Sequence, residues 1–339
     1  MTGNVRELPE EGGAAATGAC ASGERLPVLV LTGPTGAGKT EWALELAQSA
    51  PVEIVSVDSA LVYRGLDIGT AKPSRELRSR APHHLIDICE PTESYSAGRF
   101  VADALRSIRD IHARRRVPLL VGGTMLYLRA LLHGLAVLPQ AAPELRQQLD
   151  ERAARLGWPA LHAELSALDP AAAARIAPHD SQRIQRALEV FLSTGQPISQ
   201  LQKGTVSPLA NWPVHYYVLA PRDRLALHEH LARRFEAMMA AGFLQEVRML
   251  RTCEDLSAAH PSMRAVGYRQ LWAHLDGQYG LEEAVRRAVT ATRQLAKRQL
   301  TWLRSEPLGK WIDPDHGDLS GIRDRWRRDI CHELTKLGL

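Results

Sequence analysis

The feature that most constrains this chain is a glycine-rich loop that fits the phosphate-binding pattern G-x-x-x-x-G-K-[ST], namely Gly33-Pro34-Thr35-Gly36-Ala37-Gly38-Lys39-Thr40. An apolar run from Pro27 to Leu31 precedes the loop, and a helix-like segment from Lys39 to Ala50 follows it. In such a P-loop the backbone N–H groups point inward, the lysine supplies a positive charge, and the threonine hydroxyl is offered to Mg²⁺ or to a phosphate oxygen. The helix dipole adds to this attraction. The sequence therefore predicts a site for an anion with linked phosphates.

Strand-like and helix-like segments alternate after the loop. Strands are predicted at 27–31, which leads into the loop, and at 52–57, 117–121 and 214–219, and a long helix is predicted at 97–116. Short apolar runs separated by amphipathic stretches indicate a parallel sheet with helices on its faces. The predicted fold class is α/β, a P-loop-containing parallel sheet core flanked by helices, with an all-helical insertion domain.

The pattern also divides the chain into regions. We predict that residues 26–138 and 209–315 form the α/β core and its helical C-terminal part. Residues 139–208 are rich in Ala, Leu, Gln and Arg with helical spacing, and are predicted to be a helical insertion domain. Residues 316–339 are predicted to form a C-terminal helical tail. Residues 1–25 lack periodicity and apolar content, so they are predicted to be a disordered extension.

Composition limits the classes of protein to consider. With 339 residues, 45% of them hydrophobic, the chain can bury a large core. A net charge of +4 permits a polyanionic partner without requiring one. The four cysteines lie far apart with no C-x-x-C pair, which argues against a zinc site and for free thiols in a reducing compartment. No secretory or membrane-spanning segment is evident, so we expect a cytoplasmic protein with no membrane partner.

Asp58 ends the second predicted strand. The carboxyl ends of adjacent parallel strands open onto the ligand crevice, so its carboxylate is expected near the phosphates, as a ligand of Mg²⁺ through water or as a general base. The alternative is a turn cap, because Asp-Ser after a strand is common turn chemistry. A turn role is favoured for Asp67. The adjacent His83 and His84 point to opposite faces of a strand, which favours hydrogen-bonded structural histidines over a metal site.

Positive charge is concentrated between Arg264 and Arg304, where eight Lys or Arg accompany three acids. At about 100° per residue, four of them form a stripe roughly 40° wide on one helix, Arg286, Arg293, Lys297 and Arg304. Ala284, Ala288, Leu295 and Trp302 are predicted on the opposite side. No acid follows Arg286 at i+4 spacing on this helix, so we interpret the stripe as a polyanion-binding face, with an ordinary solvated face as the alternative.

In the insertion, Asp180 or Ser181 is predicted to cap a helix on which Gln182 and Arg186 share a face. A long amide and a guanidinium on one face suit contacts with base edges and phosphates. They also suit ordinary surface polarity, and the sequence leaves both interpretations open.

Six segments in register resemble the tRNA dimethylallyltransferase family, whose members modify adenine at tRNA position 37: GPTGAGKT (33–40), SVDSALVYRGLDIGTAKP (56–73), VGGTMLYLRAL (121–131), DSQRIQRALEV (180–190), SMRAVGYRQLW (262–272) and ATRQLAKRQLTWLR (291–304). The resemblance runs from about residue 27 to about residue 312. It implies transfer of a dimethylallyl group from dimethylallyl diphosphate, with Mg²⁺, to the exocyclic amine of the adenine next to the anticodon. The implied partner is the tRNA anticodon stem-loop, and the implied state is a monomer.

The resemblance also implies roles for individual residues. Lys39, Thr40, Asp58 and Arg234 would be catalytic, with Asp58 as the base and Thr40 on Mg²⁺. The residues implied to touch tRNA are Asp58, Ser59, Ala60, Leu61, Thr124, Arg146, Gln182, Arg183, Ile184, Gln185, Arg186, Arg264, Ala265, Val266, Gly267, Tyr268, Arg269, Lys297, Arg298, Gln299, Leu300, Thr301, Trp302, Leu303 and Arg304. His230 departs from the family pattern, because an arginine often stands at that position.

Two other classes of protein share part of this signature. A small-molecule or nucleoside kinase also needs a P-loop, Mg²⁺ and an acid after the second strand, but has no need of a basic stripe ~27 Å long. A non-catalytic RNA-binding regulator would need neither the P-loop nor Asp58.

Overall fold

A computed structural model describes residues 25–136, 138–139, 142–314 and 318–339. Apart from Arg25, the predicted N-terminal extension lies outside the described residues. Across the described ranges, no helix is long and apolar enough to span a bilayer.

A parallel sheet with the order β3-β2-β4-β1-β5-β6 forms the centre of the fold. Its strands are β1 Val28–Thr32, β2 Val52–Val57, β3 His83–His84, β4 Val117–Gly122, β5 Val214–Leu219 and β6 Lys310–Ile312. The four predicted strands and the parallel arrangement are confirmed. The sequence prediction missed β3 and β6, which have two and three residues and are too short to show a period.

Helices cover the sheet and form the insertion. In chain order they are α1 Lys39–Ser49, α2 Arg75–Ser79, α3 Ala97–Ala113, α4 Met125–His133, α5 Pro143–Leu156, α6 Trp158–Leu168, α7 Pro170–Ala173, α8 Ser181–Thr194, α9 Ile198–Leu201, α10 Arg224–Ala240, α11 Phe243–Arg251, α12 Tyr268–Leu275, α13 Leu281–Arg304 and α14 Leu319–Lys336. A 3₁₀ turn, Pro261–Arg264, precedes α12. The predicted helical character of the insertion is confirmed by α5 to α9.

The sheet is buried on both faces. Alternate residues of β1 belong to different hydrophobic clusters, Val28 and Val30 to one and Leu29 and Leu31 to the other. This two-sided burial explains why the strands appear as continuous apolar runs in the sequence. Because β1, β2 and β4 are parallel neighbours, their carboxyl ends lie at the same edge of the sheet.

Helix α14 is part of the core layer and not merely a tail. Its Trp326 lies 5.3 Å from the ring of Trp42 on α1 and joins the same buried cluster. The guanidinium of Arg323 also forms an ion pair with the carboxylate of Glu41 on α1, at 2.7 Å. The sequence prediction placed a helix here correctly but gave it no packing role.

The insertion has a hydrophobic cluster of its own, which includes Leu149, Leu161 and Ile184. Asp180 caps α8, as predicted, because its Oδ1 accepts a hydrogen bond from the backbone N–H of Arg183 at 3.2 Å. The insertion is therefore stabilised by its own apolar contacts and by a capped helix that carries residues 182–186.

At the other end of the sheet from the loop, Glu53 is buried and accepts hydrogen bonds from Arg114 and His84, each at 2.7 Å. His83 bonds the carbonyl of Ala81 at 2.8 Å, so both histidines have structural partners, as predicted. Burial alone would raise the pKa of Glu53, but the hydrogen bonds from Arg114 and His84 outweigh it and lower the pKa. A lowered pKa stabilises the fold above the ordinary carboxyl pKa, and that stability is lost as the pH falls through the folded value.

We expect Glu53→Gln to lower the free energy of unfolding by about 1–3 kcal/mol at pH 7, because the arginine partners lose a charged acceptor. The variant should then lose less stability than the wild type as the pH falls from about 5 to about 3. Urea unfolding of the wild type and the variant at pH 7, about 5 and about 3 measures these differences in the free energy of unfolding. Equal acid sensitivity of the two proteins would contradict it.

Candidate active site

The P-loop joins β1 to α1 and encloses the ammonium group of Lys39. Gly36 and Gly38 have φ angles of 81° and 80°, a left-handed conformation that a residue with a Cβ rarely adopts. The Nζ of Lys39 donates hydrogen bonds to the carbonyls of Gly33 at 2.9 Å and Pro34 at 2.7 Å. The loop thus holds a cation at the N-terminus of α1, where the helix dipole also favours an anion.

Three charged groups influence one another at this point. Burial lowers the pKa of Lys39 to about 8, the charge of Asp58 opposes that change, and the charge of Arg234 adds to it. Arg234 lies on α10, and burial lowers its pKa as well. Together with Thr40, these three groups line the same cavity, so the structure brings all four predicted catalytic residues together around the cradle.

Asp58 performs the turn role that the sequence analysis gave as the alternative. Its Oδ1 accepts hydrogen bonds from the backbone N–H groups of Ala60 at 2.8 Å and Leu61 at 3.2 Å. Within the described ranges, no hydrogen bond reaches the other carboxylate oxygen, Oδ2. One oxygen therefore fixes the turn, and the other is available to a ligand.

Thr124, at the start of α4, reaches the segment that follows Asp58. Its Oγ1 accepts a hydrogen bond from the N–H of Ser59 at 3.0 Å and donates one to the Ser59 hydroxyl at 3.3 Å. The ends of β2 and β4 are thereby tied together beside the P-loop.

Two cavities meet at Asp58. The smaller, of about 400 Å³, is lined by the P-loop together with Lys72 and His230. The larger, of about 620 Å³, is lined by residues that include Ser59, Arg264 and Trp302. Six residues line both, Thr35, Asp58, Thr70, Gly123, Arg234 and Gln299. A ligand held in the P-loop and a second one in the larger cavity would therefore approach each other at Asp58 and Arg234.

Gln299, predicted to bind tRNA, has a different place in the structure. Its Oε1 accepts a hydrogen bond from the N–H of Thr35 at 2.8 Å, and its Nε2 donates one to the carbonyl of Gly123 at 2.8 Å. The residue is only 7% exposed. Gln299 thus connects α13 to the P-loop and to the end of β4, a role with no signal in the sequence.

The predicted arrangement of α13 needs correction. Arg293 is partly buried and donates a hydrogen bond to the carbonyl of His228 at 3.4 Å, and Arg286 pairs with Glu283. Trp302, predicted on the buried side, is 40% exposed and lies beside Arg129, 5.5 Å from guanidinium to ring. Ala284 and Ala288 are buried as predicted, but in the C-terminal half of α13 the buried residues are Ala296, Gln299, Leu300 and Leu303, so the inward face there does not include Trp302. Of the predicted stripe, Lys297 and Arg304 are exposed, and neither forms an ion pair with another of the described residues.

The residues that the resemblance places on tRNA divide by exposure. Those that are exposed are Ser59, Arg146, Gln182, Arg183, Arg264, Arg269, Lys297, Arg298, Thr301, Trp302 and Arg304. Those that are buried are Ile184, Gly267, Tyr268, Gln299, Leu300 and Leu303. The exposed side chains are the ones that are free to contact a large partner, whereas the buried ones pack inside the protein, and the predicted tRNA contacts stay a prediction.

Two arginines of the insertion share one buried carboxylate. Arg146 and Arg186 both donate to Glu189, at 2.8 Å and 3.4 Å, and Glu189 is 1% exposed. Gln185 bonds Asp150 at 2.9 Å, from α8 to α5. These contacts orient the side chains on one surface of the insertion, a network that the sequence did not reveal.

The oxygen donors around the cradle suit a small hard cation. The described residues contain no group of three or more His, Cys, Asp or Glu that could hold a metal by themselves. Thr40 and Asp58 both line the smaller cavity and offer a hydroxyl and a carboxylate oxygen. Mg²⁺ is bound with few protein ligands when substrate phosphates supply the others, so this donor set fits Mg²⁺ with a diphosphate.

Comparison with known proteins places the chain among prenyl-transferring enzymes. Residues 61–306 match the model of a family described as IPP transferase, and residues 26–88 match one described as isopentenyl transferase. The tRNA dimethylallyltransferase of Bordetella petrii is 58% identical over 297 residues, which is 87% of this chain and 95% of that protein. The tRNA dimethylallyltransferase of Methylococcus capsulatus is 53% identical over 308 residues, 91% of this chain and 98% of that protein.

Solved structures agree with the sequence comparison. The tRNA isopentenylpyrophosphate transferase of Bacillus halodurans superposes with a TM-score of 0.68 at 35% identity, covering 93% of this chain and 98% of that one. A eukaryotic dimethylallyltransferase acting on tRNA gives a TM-score of 0.72 at 27% identity, covering 86% of this chain and 74% of that one. Both the sheet core and the helical insertion thus have counterparts of known structure.

Proposed function

Because this chain belongs to the IPP transferase family, we propose that it acts as a tRNA dimethylallyltransferase. It transfers a dimethylallyl group from dimethylallyl diphosphate to the exocyclic amine of adenine at position 37 of tRNA, and releases diphosphate. The observation that supports this most directly is the meeting of a phosphate cradle and a second, larger cavity at Asp58. A kinase of a small metabolite would not need the larger cavity to be lined by Arg264, Arg298 and Trp302.

The donor binds with its diphosphate in the P-loop, where backbone N–H groups, Lys39 and Arg234 face the phosphate oxygens. Thr40 would hold Mg²⁺ against the diphosphate and Asp58 would contact it through water, so that the ion would neutralise charge on the leaving group. Since Asp58 and Arg234 line both cavities, the allylic carbon of the donor then faces the larger cavity.

The target adenine enters the larger cavity after leaving the anticodon-loop stack, which costs less from a loop than from a duplex. Its amine nitrogen forms a bond to the allylic carbon as the bond from that carbon to diphosphate breaks. The amine proton passes to Asp58, whose Oδ2 has no hydrogen-bond partner within the described ranges. Lys39 and Arg234 stabilise the charge that develops on the departing oxygen.

We propose that exposed cations on α13 and on the turn before α12 contact the RNA backbone. Arg264 and Arg298 line the larger cavity, and Lys297 and Arg304 lie exposed on α13. We further propose that Arg183 and Arg269 contribute contacts and that the enzyme works as a monomer in the cytoplasm, where its tRNA substrate occurs.

The proposed function is tested by incubating the protein with dimethylallyl diphosphate, Mg²⁺ and total tRNA, and analysing the nucleosides by mass spectrometry. Prenylated adenosine is the expected product. A parallel assay with ATP and nucleosides tests the kinase alternative, and phosphorylation without prenylation would overturn the proposal.

The exposed part of the basic stripe gives a separate prediction about tRNA binding. Each contact with a phosphate releases condensed counterions, so Lys297→Gln with Arg304→Gln should weaken binding and flatten the slope of log K against log salt by about 0.7 per lost contact. Arg293→Gln should leave the slope unchanged, because Arg293 is held by His228. Filter binding at several salt concentrations measures this. An unchanged slope in the double variant would show that these two residues are simply solvated.

A further inference from the structure

Glu246, on α11, accepts hydrogen bonds from two different walls of the active site. The first wall is the loop after β2. The carboxylate of Glu246 accepts from three consecutive backbone N–H groups of that loop, Asp67 at 3.1 Å, Ile68 at 2.7 Å and Gly69 at 3.2 Å. The second wall is the segment that leads into α12, and the hydroxyl of Tyr268, the first residue of that helix, donates to the same carboxylate. Four donors therefore converge on one side chain.

Both walls line the cavities. Thr70 directly follows the three bonded N–H groups and is one of the six residues at the junction of the cavities, with Asp58. Arg264, Ala265 and Val266 precede Tyr268 and line the larger cavity. Glu246 thus fixes the distance between the loop at 67–70, which lies at the junction of the cavities, and the segment at 264–268, which lines the larger cavity.

The packing around this carboxylate leaves no space for adjustment. Tyr268 is fully buried, and its ring lies 4.8 Å from that of Phe243. A Cβ built on Gly69 would lie 2.1 Å from the Phe243 ring and 2.6 Å from the Tyr268 ring. The loop is therefore pressed against these two rings while Glu246 holds its backbone, so a change in the hydrogen bonds would move the loop as a unit.

We propose that Glu246 is a positioning residue for prenyl transfer, which sets the geometry of the junction by holding the loop at 67–70 and the segment at 264–268 together. The proposal rests on the proposed function, since it concerns the alignment of donor and acceptor. Glu246 lines neither cavity and touches no reacting atom. It acts only through the two walls. A change at Glu246 should therefore disturb the alignment of the bound substrates more than the affinity for diphosphate.

The direct test is Glu246→Gln. A glutamine side chain has one acceptor oxygen and two N–H donors, so it leaves at least one of the four converging donors without an acceptor. Because a misplacement of about 1 Å can cost about 10²-fold in rate, we expect kcat to fall by about 10- to 100-fold. Binding of inorganic pyrophosphate, measured by calorimetry, should stay within about threefold, since the P-loop is untouched.

Glu53→Gln is the matched control. Glu53 is also a carboxylate with several hydrogen-bond donors, but it lies at the opposite end of the sheet and lines neither cavity. Both variants are assayed well below their melting temperatures. A kcat of Glu246→Gln no lower than that of Glu53→Gln would overturn the proposal, because the loss would then reflect stability alone.

Tyr268→Phe supplies a second, independent variant, which removes one donor and keeps the buried ring. It should lower kcat less than Glu246→Gln does, and its effect should shrink in the Glu246→Gln background, because both changes act on one carboxylate. Fully additive effects would overturn the proposal.

If Glu246→Gln does not fold, the kcat of Tyr268→Phe is the deciding measurement, and an unchanged kcat in that variant would overturn the positioning role. Prenyl transfer by the wild type is measured in parallel, and its absence would overturn the proposed function and this inference with it.

Discussion

Asp58→Asn is expected to lower turnover by about 10²- to 10⁴-fold while tRNA affinity stays within about threefold. The asparagine oxygen can still accept the hydrogen bonds from Ala60 and Leu61 that fix the turn, so the local backbone should not change. The amide nitrogen, however, cannot take a proton from the adenine amine. The variant therefore separates the two roles of Asp58, the turn and the base.

Asp223→Asn is a matched control for that experiment. The Oδ1 of Asp223 caps α10 with the same pattern, accepting from the N–H groups of Leu225 at 2.7 Å and Ala226 at 3.2 Å, and Asp223 lines neither active-site cavity. Single-turnover transfer at saturating tRNA and donor measures the chemical step for both variants. Near wild-type turnover in Asp58→Asn would reduce Asp58 to a turn residue.

Much of the fold was predictable because its signals are local. The P-loop, the apolar strands and the cap at Asp180 each lie within a few neighbouring residues, and the structure confirms them. The contribution of α14 was not predictable, since it depends on Trp326 meeting Trp42 across almost the whole chain. The short strands β3 and β6 form because neighbouring strands offer hydrogen bonds, and not because their own residues alternate.

The site was predictable in part for the same reason. Motif spacing identified Lys39 and Asp58, which are fixed by the loop and by the end of a strand. The orientation of the C-terminal half of α13 was not predictable, because small and large residues are mixed around it and tertiary packing decides which face turns inward. Arg293 and Gln299 consequently bind other parts of the protein, although both looked like surface residues. The four donors around Glu246 come from separate segments, so no pattern in the sequence indicates them.

Lys39→Ala is expected to lower both donor affinity and turnover, the latter by about 10²- to 10³-fold. The Nζ of Lys39 already lies inside the loop, on the carbonyls of Gly33 and Pro34, and its pKa is lowered by burial to about 8. A diphosphate would give this buried cation the anionic partner that it lacks in the loop. Because bond breaking places more charge on the diphosphate oxygens, the ammonium should stabilise the transition state more than the bound donor.

That difference can be measured by comparing kcat at saturating donor with the affinity for the donor. Lys310→Ala is a suitable control, since it removes a lysine from β6 that lines neither active-site cavity. Loss of donor affinity with kcat intact in Lys39→Ala would mean that Lys39 binds the ground state and the transition state equally. The stabilisation of the leaving group would then have to come from Arg234 and the metal. A lower kcat at saturating donor would show that Lys39 stabilises the charge that develops on the diphosphate as its bond to the allylic carbon breaks.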